Sequence, residues 1–149
     1  DSAEQGDTEA VAETIAHEAG HAMYTLKPYV PPSGLTRDEF VQRNVDRHLG
    51  DEGAANFSNA RARDEILQSG GPDIGVAGAQ EESYKGIYEA HKNGALDHDT
   101  ASEQMGQHFG NGEHTSTTGE SYSDYYGKSY RDQWDKTYPN VPPGGTAPP

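Results

Sequence analysis

His17-Glu18-Ala19-Gly20-His21 has the form H-E-x-x-H. Residues four apart on an α-helix lie one turn above each other, so the two imidazoles project from one side. Two neutral histidine nitrogens at that separation can share a zinc ion, and Glu18 sits near enough to act on a water held there. Zinc brings the pKa of such a water towards ~7. Glu18 then serves as general base while the water attacks a polarised carbonyl, and the same carboxylic acid protonates the leaving amine. Without the flanking histidines Glu18 would read as an ordinary exposed helix carboxylate.

Two histidines alone make a weak site. A catalytic zinc normally has three protein ligands and one open position. The chain has no Cys, so the third ligand must be Asp, Glu or His. The longer pattern H-E-x-x-H-x-x-G-x-x-H is absent, because Tyr24 and Lys27 stand where Gly and His are required. Glu52 is the preferred candidate. It is expected to open a helix, 31 residues beyond His21 and after one intervening helix that turns the chain back. Its competitors are His48, one helical turn earlier, Asp51 and Asp124. A tetrahedral intermediate also needs an oxyanion donor. His114, in a loop of Ser and Thr, is the tentative catalytic choice, with His108, Tyr122 and Tyr125 as further candidates. His91 and His98 read as surface residues.

The elements that must position these groups are helical throughout. A first helix is expected from Thr8, capped by Asp7 or Thr8, to about Lys27, where Pro28 forbids continuation. Val11, Ile15, Ala22 and Leu26 share one face of it. Ala10, Thr14, His17, His21 and Tyr24 occupy roughly the opposite face. A proline-rich connection follows, then a capping box from Thr36 to Glu39. The next helix buries Phe40, Val41, Val45 and Leu49 and is expected to stop at Gly50. A third runs from Asp51 to about Gln68, a fourth from Gln80 to Lys92, and a fifth from Asp97 or Asp99 to near Phe109. In a final helix Tyr122, Tyr126, Tyr130 and Trp134 recur every four residues, an aromatic stripe expected to be core. Residues 1–7 are expected to be a flexible N-terminus, 8–138 one domain, and 139–149 a loose or lightly docked Pro/Gly-rich tail. There is no strand signal of any strength, so the class is mainly α.

Composition sets limits on function. Hydrophobic residues make up 31% of the 149, and mean hydropathy is −0.99. The aliphatic core is therefore thin, and aromatics and a metal are expected to supplement it. A net charge of −14 disfavours nucleic acid and anionic membrane surfaces, and favours divalent cations and basic protein partners. No apolar run approaches membrane-spanning length, and no membrane insertion is expected. Lacking Cys, the chain can function in an oxidising or a reducing compartment. It begins with Asp1 rather than Met and is expected to be a piece cut from something longer.

The pairing of Glu52 with Asn56 four residues on resembles the gluzincin metallopeptidases. In that family a Glu on a second helix completes the zinc site and a residue four later, more usually Asp, orients a ligand. More broadly, the H-E-A-G-H segment, Gly50-Asp-Glu-Gly-Ala-Ala55 and Ser116-Thr-Thr-Gly-Glu-Ser-Tyr122 resemble small metallopeptidase toxin domains. These occupy the C-terminal ends of bacterial polymorphic toxins, including Rhs-type and VgrG-linked effectors of type VI secretion. The resemblance implies a compact zincin-like fold, Zn2+ on His17, His21 and Glu52, and a protein or peptide substrate. It further implies delivery into a rival bacterial cell and a cognate immunity protein. A zinc amidase acting on a non-peptide or cell-wall substrate would use the same residues. A helical binding module with a structural or absent metal is the non-enzymatic alternative.

Overall fold

A 32-residue helix, Arg37–Gln68, forms the axis on which the other elements are mounted. The computed structural model describes residues 2–149, and Asp1 lies outside them. In chain order the helices are α1 (Ser2–Met23), α2 (Arg37–Gln68), α3 (Glu81–Lys92), α4 (His98–Gly112) and α5 (Tyr122–Thr137). Among the described residues there is no strand, only isolated bridges. Every other helix touches α2, and α1 packs against no other helix.

The two helices expected on either side of Gly50 are a single α2. Gly50 does not end the helix, because no left-handed residue or proline follows it; it costs about 1 kcal/mol relative to Ala and is tolerated. Its function is spatial: a Cβ at Gly50 would meet the hydroxyl of Tyr24, the residue after α1, at 2.6 Å. The N-terminus of α2 is as expected. Thr36 Oγ1 accepts from Glu39 N–H, and the Thr36 N–H donates to the Glu39 carboxylate at 2.9 Å. Asp97 caps α4 through Thr100 N–H, and Ser121 caps α5 through Asp124 N–H.

α1 differs from expectation at both ends. It starts at Ser2, because Ala3, Glu4 and Gln5 are good helix formers and nothing before Thr8 blocks the helix. It finishes at Met23, short of Pro28, with the Tyr24 N–H still bonded to the Gly20 carbonyl. Its packed side is neither of the broad faces seen on the helical wheel but the narrow strip of Ala16 and Gly20, both buried. Val11 and Ile15 point to solvent.

Two small cores lie at opposite ends of α2. Near its C-terminal half, Phe57 and Ala60 pack with Val76, Tyr84, Ile87, Tyr88, Ala101 and Met105. Near its start, Phe40 packs with Trp134 and Ala147, bordered by Leu35, Tyr130 and Tyr138. The C-terminal tail is thus a fixed part of the second core rather than a loose end. Ala147 exchanges backbone hydrogen bonds with Gly34 and Leu35, at 3.0 and 2.8 Å, and is buried. Between the two cores the middle of α2 buries the polar side chains of Asn44 and Asn56 as well as Val45 and Leu49.

Two predictions concern this frame. A Cβ on Gly20 would lie 2.5 Å from the Ala55 Cα and 3.0 Å from the Ala54 carbonyl oxygen. Gly20→Ala should therefore lower stability by about 1–3 kcal/mol in urea melts, reversing the ~1 kcal/mol that the change gains by helix propensity. The second concerns the loop after α2. The Arg63 guanidinium grips Asp73 through two hydrogen bonds and, with the Gly75 N–H, holds its pKa at about 2, against an ordinary 3.8. A depressed folded-state pKa stabilises above pH 3.8, and that contribution disappears as pH falls through about 2. Since the pair is partly exposed, Asp73→Asn should cost only about 0.5–1 kcal/mol at neutral pH. The difference from the parent should vanish in melts near the lower limit.

Candidate metal centre

α1 and α2 meet through small residues, and this sets how far the imidazoles must reach. With Gly20 against Ala55, His17 and His21 lie at the edge of the contact and lean over α2 towards Glu52. His17 Nε2 and His21 Nε2 are 3.2 Å apart. Glu52 Oε2 lies 3.8 Å from the first and 3.6 Å from the second. Ligand atoms about 2.0–2.1 Å from a tetrahedral ion are separated by roughly 3.3 Å. The three edges are within a few tenths of an ångström of that figure, so the group can hold a metal ion without rearrangement of either helix.

The surroundings select the protonation states a metal needs. Asp51 Oδ1 lies 2.9 Å from His21 Nδ1 and accepts its proton, which leaves the Nε2 lone pair facing Glu52. Glu52 is held in turn, since the Tyr126 hydroxyl donates to Oε1 at 2.9 Å and frees Oε2 for the histidines. His17 Nδ1 is buried without a hydrogen bond, as are both amide atoms of Asn56 beside it. A His17 ligating through Nε2 carries its proton on Nδ1, and the Asn56 side-chain oxygen is the acceptor at hand. The orphaned atoms thus fit the metal-bound tautomer.

The charges agree with this arrangement. Burial, reinforced by the nearby His21, pushes the His17 pKa below its usual value, so the ring stays neutral with a lone pair available. For His21 burial acts downward, but the Asp51 hydrogen bond and the charges of Glu52, Asp51 and Glu18 outweigh it and raise its pKa. Glu52 is raised by burial, opposed by Tyr126 and His21, with Asp51 and Glu18 adding to the rise. The carboxylates of Glu52, Asp51 and Glu18 around His21 favour positive charge there, which a dication would supply. Glu18 is exposed, unpaired by hydrogen bonds, and close enough for its charge to act on all three groups.

Of the residues singled out from sequence, His17, His21 and Glu52 come together, and Glu18 stands at their rim. Glu52 does so from the middle of α2, not from a helix start. Asp51 belongs to the site as the partner of His21 rather than as a ligand. His48 is drawn away: its Nε2 pairs with the Tyr130 hydroxyl at 2.9 Å, and its ring stacks on Tyr126. Asp124 is exposed on the first turn of α5 and engages Ser121 and Arg131.

His114 is exposed on the segment after α4. The chain is extended at Glu113, and side chains alternate there. Glu113 turns inward to accept from Tyr84 and the Gln80 N–H, Thr115 is buried, and His114 between them faces solvent. His108 and Tyr125 are exposed, and Tyr122 packs on Phe109. The hydroxyl that does touch the ligand group is Tyr126, hidden within the stripe expected to be core. Only Trp134 of that stripe is buried, while Tyr126 and Tyr130 direct their hydroxyls to Glu52 and His48.

The chain matches no protein-family model, no curated protein and no solved structure.

Because α1 has no helical neighbour but α2, an ion shared by His17, His21 and Glu52 pins it in place. Adding zinc to the metal-free protein should slow amide hydrogen exchange across residues 12–23 far more than in α3. Ion at 1,000 times its dissociation constant should add about 4 kcal/mol to stability. Glu52→Ala should abolish both effects, while Asp51→Asn should weaken zinc binding by roughly 10–100-fold in competition titrations.

Proposed function

We propose that the chain is a zinc-dependent endopeptidase, and that it acts as the toxic domain of a secreted antibacterial effector. The observation that carries the hydrolase reading is the convergence of two imidazole nitrogens and one carboxylate oxygen within 4.8 Å of one another, beside the exposed carboxylate of Glu18. A donor set of two nitrogens and one oxygen with a side open to solvent suits zinc in its catalytic rather than its closed structural form. When bound there, zinc supplies a Lewis acid that polarises a carbonyl and acidifies a water.

The chain's own residues supply the rest. Glu18 accepts a proton from the attacking water and passes it to the amine nitrogen as the carbon–nitrogen bond breaks. Asp51 accepts a hydrogen bond from His21 Nδ1–H and so fixes the ring with Nε2 towards Glu52. Tyr126 keeps Glu52 turned so that a single oxygen faces the histidines.

The effector part of the reading rests on the sequence resemblance. Two of its three segments, 17–21 and 50–55, contribute the ligands, the base and the Asp51 partner. On this reading the domain reaches a rival bacterium, cuts a protein there, and is neutralised in the producer by an immunity protein. A second reading, a zinc amidase on a cell-wall substrate, is favoured by the lack of any strand among the described residues, since no sheet edge can pair with a peptide backbone.

Glu18→Gln should retain stoichiometric zinc and the parent's melting temperature yet lose peptide hydrolysis by at least about 10²-fold. Expressed in a bacterial host, the parent should arrest growth and the variant should not. Retained proteolysis in a variant that still carries zinc would refute the base assignment. Cleavage of purified cell-wall fragments but of no protein would decide for the amidase.

A further inference from the structure

Among the described residues, seven large hydrophobic side chains are exposed, and four of them belong to α1 and the turn after it: Val11 at 57%, Ile15 at 62%, Met23 at 71% and Leu26 at 45%. A thin-cored chain with 31% hydrophobic residues would not be expected to leave this many on one helix. Val11, Ile15 and Ala22 stand at i, i+4 and i+11, on the side of α1 turned away from α2, while Met23 ends the helix and Leu26 lies just past it. Glu18 is three residues beyond Ile15 and four before Ala22, so the base of the proposed reaction sits on the border of this stripe. The apolar surface therefore borders the proposed base.

Its charge is one-sided. The α1 sequence holds Glu4, Asp7, Glu9, Glu13 and Glu18 and neither Lys nor Arg, and of these Glu13 turns towards the Gly75 loop. Asp51 and Glu52 add to the same field at the centre. An occupant must offer apolar side chains to the stripe and positive charge to its margins. A second copy of the chain, with net charge −14 and this same acidic helix, opposes itself on both counts.

We propose that the outward face of α1, centred on Val11 and Ile15, is the platform on which the substrate polypeptide lies, and that it selects apolar segments flanked by Lys or Arg. This rests on the peptidase reading and names its substrate class. It also supplies what the absent sheet edge does not. The substrate is held by side-chain burial along a helix and led to Glu18 by the direction of the stripe.

The test separates binding from cutting. Zinc-loaded Glu18→Gln protein is titrated with a fluorescein-labelled peptide whose Leu/Val centre is flanked by lysines, and with the same peptide flanked by glutamates. The lysine peptide should bind at least on the order of tenfold more tightly. Adding Val11→Ser and Ile15→Ser should weaken it on the order of tenfold, with zinc content and helicity unchanged, because both side chains are exposed before binding. In the chain with Glu18 intact, the double variant should raise KM for that peptide and leave kcat within about twofold. Equal binding of the two peptides, or no effect of the double variant on either measurement, overturns the proposal. So does sedimentation of the parent as a dimer that the double variant dissolves, which would assign the stripe to self-association. A parent that binds the lysine peptide through Val11 and Ile15 but never cleaves it overturns the peptidase reading and leaves the binding surface standing.

Discussion

Gly20 and Ala55 bring the backbones of α1 and α2 closer than any larger residue would permit, and the metal centre follows from that approach. A helix pair held apart by Leu or Ile runs 8–10 Å between axes. His17 and His21, on the flank of the contact, would then face empty space or one another. With the backbones nearly touching, the rings overhang α2 far enough to meet the carboxylate of Glu52. A single Cβ at residue 20 is enough to oppose the arrangement, and for this reason the small residues of the H-E-A-G-H segment matter as much as its ligands.

The placement of the polar residues along α2 is a second consequence of limited hydrophobic material. Phe40 and Phe57 anchor two separate cores, and the turns between them carry His48, Asp51, Glu52 and Asn56. Continuous apolar packing along this stretch would have solvated no charge and excluded any ion. The structure instead gathers several carboxylates around two imidazoles, with Tyr126 and Asp51 as the hydrogen-bonded supports. Burial raises Glu52 towards protonation while Tyr126 and His21 act against it. Asp51 and Glu18 add negative charge beside it, which a cation would complement.

What the sequence disclosed divides by the range of the interactions involved. The His17–Glu18–His21 arrangement depends only on helical periodicity and could be read locally. Glu52 could be named as the third member of the group because the chain offers few alternatives, although its helix was expected to begin there. Gly50 misled because glycine at a helix end and glycine under a neighbouring tyrosine look the same in one dimension. Tyr126 was invisible for a related reason: a four-residue aromatic period fits a ring packed in a core and a ring whose hydroxyl meets a carboxylate. Alternation along the chain turned Glu113 inward and His114 towards solvent, a parity that its loop of Ser and Thr did not announce. The outer face of α1 was misjudged because amphipathic patterning does not say which of two faces meets the protein.

Asp51 and Glu52 belong to a segment gripped from two sides. Gly50 admits Tyr24, just past α1, and Gly53 lies against the backbone of α4 at Ser102 and Gly106. Such a segment has little freedom to adjust when an ion arrives. The ordering of the carboxylates is completed during folding, so capture requires no closing motion of the protein. The tempo of loading would then be set by the ion's release of its own hydration shell, and cations differing widely in that rate would fill the same cradle at correspondingly different speeds.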